Sequence, residues 1–217
     1  TKKEVEECVA RHGKTPAVYL AGLGLFDYGG IAYHCVHPTD DDIRALKEHN
    51  VSVVSCPASN LKLASGIAPL QKLKDSGINV GLGTDGPASN NCLDMFREMF
   101  LATGLQKAVT QNPASMDGEY ILKAATSNNA KAMGLSDLDT IEAGKQADLI
   151  MIDIHAPNMQ PVNNVLKNVV YAGNKSNVLM TVIAGRIVYE KGEYNIGTEI
   201  EKIYSECDRI ACRIIGE

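Results

Sequence analysis

Between Ile31 and Gln106 the apolar positions follow two alternating periods. Three short continuous runs have the length and β-branched character of buried strands. They are Ile31-Ala32-Tyr33, Val51-Ser52-Val53-Val54 and Ile78-Asn79-Val80-Gly81-Leu82. Stretches of helical period separate them. Thr39 followed by Asp40, Asp41 and Asp42 predicts a capped helix carrying Ile43 and Leu46, the acids suiting the positive helix end. Ile67 to Ser76 predicts a second helix, closed by Gly77. Leu93 to Gln106 predicts a third, with Leu93, Phe96, Met99, Phe100 and Thr103 on one face. Strands alternating with helices at this spacing predict an α/β chain with a parallel sheet.

The flanking segments read differently. Thr1-Lys2-Lys3-Glu4 has the spacing of a capping box, with Val5, Cys8 and Val9 following at helical period and Gly13 as a stop. Pro16 to Leu25 predicts a second short helix, and Glu119 to Met133 a continuous one ending near Gly134. After Asp139 the texture changes. Ala147 to Asp153 is strand-like, Val169-Val170-Tyr171 is a short apolar run of the same kind, and Val178 to Tyr189 predicts a hairpin around Gly185. Thr198-x-x-Glu201 predicts the start of a terminal helix with Ile200, Ile203, Tyr204, Cys207, Ile210, Ala211 and Ile214 on one stripe. That stripe is expected to pack on the body or on another subunit. Three regions follow: parallel α/β over 1–139, a small antiparallel β portion over 140–195, and an amphipathic helix over 196–217.

Composition narrows the class. Of 217 residues 45% are hydrophobic and 22% charged, as in an ordinary globular protein. Net charge is −5 and no basic run exceeds Lys2-Lys3, which argues against nucleic acid or anionic membrane as partner. No apolar stretch has the length of a bilayer-spanning helix, and the first residues lack the apolar core of a signal peptide. The six cysteines form no CxxC pair, so reduced, buried thiols of a cytoplasmic protein are expected rather than a cysteine zinc site.

Chemistry in a parallel α/β sheet gathers at the carboxyl ends of the strands. His34-Cys35 follows the first run, Ser55-Cys56-Pro57-Ala58-Ser59-Asn60 the second, and Gly83-Thr84-Asp85-Gly86 the third. His34 and Asp85 thus share one rim, two strands apart, as metal binding and proton transfer would need. Each also has a simpler reading. Asp before Gly is a common turn pair, and a lone strand-end His is often structural. Ser59 and Asn60 suit either a pocket wall or a loop. Ser89, Asn90 and Asn91 suit either substrate contact or a helix N-cap. His37 reads as loop-forming or as support behind the site; His12, His49 and His155 read as solvated.

The longer strings decide between these readings. His34-Cys35-Val36-His37, then Asn60-Leu61-Lys62-Leu63-Ala64-Ser65-Gly66-Ile67-Ala68-Pro69, then Gly83-Thr84-Asp85-Gly86-Pro87-Ala88-Ser89-Asn90-Asn91 resembles the amidohydrolase superfamily. The branch it resembles holds the 5′-methylthioadenosine/S-adenosylhomocysteine deaminases and related chlorohydrolases. Gly144-Lys145-x-Ala147-Asp148-Leu149 fits the return of the chain to a small β-sandwich in that family.

The resemblance implies the carboxy-terminal part, strands six to eight, of a TIM-type (β/α)8 barrel, plus a β-sandwich portion and a terminal helix. It implies that Asp85 binds a divalent metal, most often zinc, and takes a proton from the attacking water. Asp85 then meets the substrate by handing that proton to the leaving ammonia. His34 orients the water. The implied substrate is a small purine nucleoside; a chlorohydrolase or guanine deaminase is the sibling reading, and a non-catalytic packing fragment the third. The family's His-x-His pair, its further histidine and its protonating glutamate have no match here. The chain is therefore expected to be a fragment, inactive alone, that works with a complementing amino-terminal half or as a homo-oligomer.

Overall fold

A computed structural model describes residues 1–216. The chain opens with α1 (Lys2–His12), whose Thr1 and Glu4 form the reciprocal capping box, and α2 (Pro16–Gly22). Then come β1 (Gly30–Tyr33), α3 (Asp40–Glu48), β2 (Val51–Ser55), α4 (Pro57–Lys62), α5 (Leu70–Asp75) and β3 (Val80–Leu82). The three strands pair in parallel in the order β1-β2-β3, with Tyr33 opposite Val54 and Ser55 opposite Leu82. Right-handed crossover through helices is the usual way to join such strands. All of β2 and β3 is buried, which is why their sequences are apolar without alternation.

Asp42 shows how local sequence positions a helix. Its Oδ2 accepts from the Thr39 N–H at 2.9 Å and from the Thr39 hydroxyl at 2.8 Å, completing the cap of α3. Its Oδ1 accepts from the Ala17 and Val18 N–H groups at 2.9 and 3.2 Å. One carboxylate therefore terminates two helices and docks α2 on α3.

The helical layer continues with α6 (Pro87–Asn90), α7 (Met95–Thr110), α8 (Gly118–Ala125) and α9 (Ser127–Ala132). Leu46, Val53, Leu73, Val80, Leu82, Met99 and Ile121 meet in one core. Of the stripe expected on α7, Phe96, Met99 and Thr103 are buried, whereas Leu93 and Phe100 are exposed. The expected single helix over 119–133 is two helices. The backbone breaks at Thr126 (φ −129°, ψ −98°), and the break lets side chains of α9 reach β3. There Asn128 Nδ2 donates to Val80 O at 2.9 Å, and Asn129 Nδ2 to Leu82 O at 2.7 Å. These amides occupy carbonyls on the edge of the sheet that no strand among the described residues pairs.

Beyond residue 139, β4 (Leu149–Ile152) precedes α10 (Val165–Tyr171), followed by β5 (Val178–Ile183), β6 (Arg186–Glu190) and β7 (Glu193–Tyr194). They form an antiparallel sheet in the order β4-β5-β6-β7. The hairpin turn is Ala184-Gly185, both at positive φ (49° and 74°), the geometry that matches strand twist in two-residue turns. Val169-Val170-Tyr171 is not a strand: it lies in α10, where Val169 and Val170 are buried against the core. Its β-branched composition yields to tertiary packing.

The terminal helix α11 (Ile200–Ile215) starts at an N-cap of Glu199 whose side chain makes no cap hydrogen bond, so the expected Thr198–Glu201 box does not form. Among the described residues α11 buries none, and Ile203, Tyr204, Ile214 and Ile215 are exposed; its stripe does not pack on the body. The six cysteines are free, but only Cys56 is fully buried, and Cys207 and Cys212 on α11 are exposed, contrary to expectation. No helix among the described residues is long and apolar enough to cross a membrane.

Candidate functional site

β1 delivers His34 and β3 delivers Asp85 to the same end of the sheet. The His34 N–H donates to Val54 O at 2.9 Å, so the strand pairing itself fixes the histidine backbone. Both residues then leave the extended region. His34 has φ 66°, Cys35 φ 44° and Asp85 φ 60°. Left-handed backbone at residues other than glycine costs free energy, and such strain concentrates at functional sites. The turn at each strand end aims the side chains towards each other, and His34 Nε2 lies 3.9 Å from Asp85 Oδ2.

The second strand supplies the support. Pro57 opens α4 directly after β2, with its fixed φ suited to the first helical position. The first turn presents Ser59 and Asn60, both buried. The Ser59 hydroxyl donates to Asp85 Oδ2 at 2.6 Å, and Asn60 Oδ1 meets His34 Nδ1 at 2.8 Å. Asn60 Oδ1 can only accept, so Nδ1 carries a hydrogen, and in the neutral tautomer of the ring Nε2 presents its lone pair to the carboxylate. Two acceptors 3.9 Å apart define a place for a cation or for a donor such as water.

Asp85 is a strongly stabilised anion. The Ser59 hydroxyl first, then the Gly86 N–H at 2.7 Å and Ser89, pull its pKa down from 3.8 to about 2. It is ionised throughout the neutral range. Cys56, beneath the site, is pushed up to about 11, mainly by burial and then by the Asp85 charge. Cys35 is likewise pushed up to about 11 by burial and by Asp42. Neither thiol supplies a thiolate at neutral pH.

His34, Asp85, Ser59 and Asn60 line one cavity of about 530 Å³, closed on another side by Ala17 and Leu20 of α2. His37 also borders it, but its Nε2 is taken by Ser65 O at 2.7 Å, as suits a loop-forming residue. His12 stacks on Tyr19, His49 lies against Phe26 and Asp27, and exposed His155 is not among the residues that line the cavity. Ser89 to Asn91 are not the N-cap of α7; that cap is Asp94, which accepts from Phe96 and Arg97 N–H. The roles of Ser59 and Asn60 toward the pair escaped sequence reasoning, because Pro-Ala-Ser-Asn reads as a loop. The signal was there: a proline at the first helical position after a buried strand places the next two polar residues at the strand end.

A zinc ion takes three or four protein ligands. Asp85 offers one and His34 at most a second, and no group of three or more His, Cys, Asp or Glu side chains able to hold a metal occurs among the described residues. These residues alone do not fit a zinc ion.

Known proteins set this geometry in context. The family model described as the amidohydrolase family matches residues 1–188. A 5-methylthioadenosine/S-adenosylhomocysteine deaminase from Caldanaerobacter subterraneus is 44% identical over 216 residues, which is 99% of this chain and 50% of that protein. A crystal structure of an adenosine deaminase from Xanthomonas campestris with bound zinc superposes with a TM-score of 0.95 at 39% identity, over 100% of this chain and 49% of the other. The zinc complex of an atrazine chlorohydrolase from Arthrobacter aurescens gives a TM-score of 0.85 at 23% identity, over 93% of this chain and 45% of the other, and so shares the fold. The chain belongs to the amidohydrolase family. It spans about half the length of the curated relatives it matches.

Proposed function

We propose that this chain carries part of the active site of a hydrolytic deaminase acting on an aminopurine nucleoside of the 5′-methylthioadenosine or S-adenosylhomocysteine type. The observation that carries the reading is the opposed pair, His34 Nε2 and Asp85 Oδ2, at 3.9 Å on the carboxyl end of a parallel sheet. The deaminase named above, alike over almost the whole chain, supports the substrate class. The barrel part is residues 1–139, holding strands six to eight; 140–195 belongs to a composite β-sandwich, and 196–217 is the terminal helix. The remaining metal ligands and the group that protonates the ring come from sequence outside this chain, so the chain alone is inactive.

In the complete site a divalent metal, zinc in this reading, would acidify water towards a pKa of ~7. Asp85 would be one of the residues holding it, and its carboxylate accepts the proton of the attacking water. His34, its ring fixed by Asn60, directs a lone pair at the water oxygen's hydrogen and sets the line of attack on the amino-bearing carbon. Asp85 then returns the proton to departing ammonia.

The test is ammonia release from 5′-methylthioadenosine by the complete zinc-loaded enzyme and by its Asp85→Asn variant. The substitution keeps the shape and removes the base, so turnover falls at least about a hundredfold. Full turnover by the variant would sink the assignment of Asp85. Turnover of guanine or a halogenated triazine, with none of the nucleoside, would move the substrate class to a sibling activity.

A further inference from the structure

Glu98 on α7 is wholly buried, with 0% of its surface exposed, yet it is a carboxylate among apolar neighbours. Burial pushes its pKa above the ordinary 4.5, offset in part by donors from Ala58 and Asn90. Burying such a group is costly unless its hydrogen bonds are made. They are, and both lead to the candidate site. Oε2 accepts from the Ala58 N–H at 2.9 Å. Ala58 lies in the first turn of α4, where N–H groups lack helical partners, and the N-cap Cys56 makes no side-chain cap. Glu98 thus caps α4 from a distance, immediately before Ser59 and Asn60. Oε1 accepts from Asn90 Nδ2 at 2.8 Å, and the second hydrogen of that amide goes to Thr84 O at 2.6 Å. Thr84 precedes Asp85, whose left-handed φ of 60° needs external support.

We propose that Glu98 is the positioning residue of this site, one carboxylate that ties the turn bearing Asp85 to the helix bearing the partners of Asp85 and His34. It does not line the cavity that holds His34 and Asp85. It fixes the 2.6 Å Ser59–Asp85 and 2.8 Å Asn60–His34 contacts by locking α4 and the Thr84–Asn90 turn to a single point on α7. The role in turnover rests on the deaminase reading above; the geometric role does not.

The experiment compares wild type, Glu98→Gln, Ser59→Ala, their double variant and Met99→Ala in the complete zinc-loaded enzyme. Gln keeps the shape but sets an amide hydrogen against one of the two donors. Support of this kind behind a metal site is worth about ten- to a hundredfold in activity. The expected result is a kcat for Glu98→Gln lower by that factor, with KM within about twofold. Because one of the two routes from Glu98 to Asp85 runs through α4 and Ser59, the double variant should lose clearly less than the sum of the single losses. Met99, the next residue, is buried in the core instead of facing the site, so Met99→Ala should lower stability and leave kcat within about twofold. Wild-type kcat in Glu98→Gln, additive losses, or an equal kcat loss in Met99→Ala would each overturn the proposal. Should Glu98→Gln not fold, Asn90→Ala cuts the link to Thr84 alone. It predicts a smaller loss in kcat at unchanged KM, and unchanged kcat would overturn the proposal. A wild type that deaminates no aminopurine refutes the deaminase reading, and crystal structures still decide the positioning: Ser59–Asp85 and Asn60–His34 distances unchanged in Glu98→Gln would refute it.

Discussion

Replacing Asp42 by Asn tests whether one carboxylate holds α2 against α3. The residue is 3% exposed, so solvent screening discounts its interactions little. Besides the Thr15 side chain, it accepts hydrogen bonds from Ala17 N–H, Val18 N–H, Thr39 N–H and the Thr39 hydroxyl. Asparagine offers one oxygen. Its better orientation keeps that oxygen on Ala17 and Val18 and gives its amide hydrogen to the Thr39 hydroxyl, which can rotate to accept. The Thr39 N–H is then orphaned, at about 1–3 kcal/mol, and the two surviving bonds lose their charge assistance, at about 1 kcal/mol each. The expected loss is about 3–5 kcal/mol at pH 7, measured by urea unfolding followed by circular dichroism.

The pH dependence fixes the cause. Burial raises the Asp42 pKa, but the hydrogen bonds from Thr15, Thr39 and Val18 outweigh it, and the net shift is below 3.8. A depressed folded-state pKa contributes stability that is complete above the unfolded value and is lost as pH falls through the folded one. The gap between wild type and Asp42→Asn should therefore be constant from pH 7 to about 5 and shrink below 3.8. A gap under about 1 kcal/mol at pH 7, or one that persists unchanged into acid, would refute the account. Since Ala17 and Leu20 of α2 line the cavity, the variant should also loosen that wall.

Two further outcomes follow from packing and thiol chemistry. A Cβ on Gly81 would collide with Asn129 Oδ1 and lie 3.2 Å from Val54 Cγ2, so Gly81→Ala should cost about 1–3 kcal/mol in urea unfolding. At pH 8 iodoacetamide should modify exposed Cys207 and Cys212 first, with Cys35 and Cys56, both held at about 11, modified last by peptide mass mapping.

The parallel sheet was legible because β2 and β3 are buried on both faces and so are apolar without a break. Thr39 with Asp42, and the positive-φ turn at Gly185, were legible because capping and turn chemistry are local. What escaped was set by distant contacts. Val169 and Val170 look like a strand but pack as a helix on the core. The helix over 119–133 breaks at Thr126 to bring Asn128 and Asn129 to β3, a demand that no window around Thr126 contains. The site was half legible. Period alone placed His34 and Asp85 at strand ends, and only the family resemblance gave the roles expected of them. Ser59, Asn60 and Glu98 act across 26 to 40 residues of sequence.

The amides of Asn128 and Asn129 on β3 bear on how the chain survives in concentrated solution. A sheet that ends in bare carbonyls is a template: an extended peptide can add to it, and copies can stack edge to edge into aggregates. Val80 O and Leu82 O are already engaged, each by an amide hydrogen from a helix that cannot itself propagate a sheet. Without them β3, buried along its whole length, would present free carbonyls at the margin of the sheet. Two asparagines, acting as chain terminators for hydrogen-bond propagation, make that margin a poor seed.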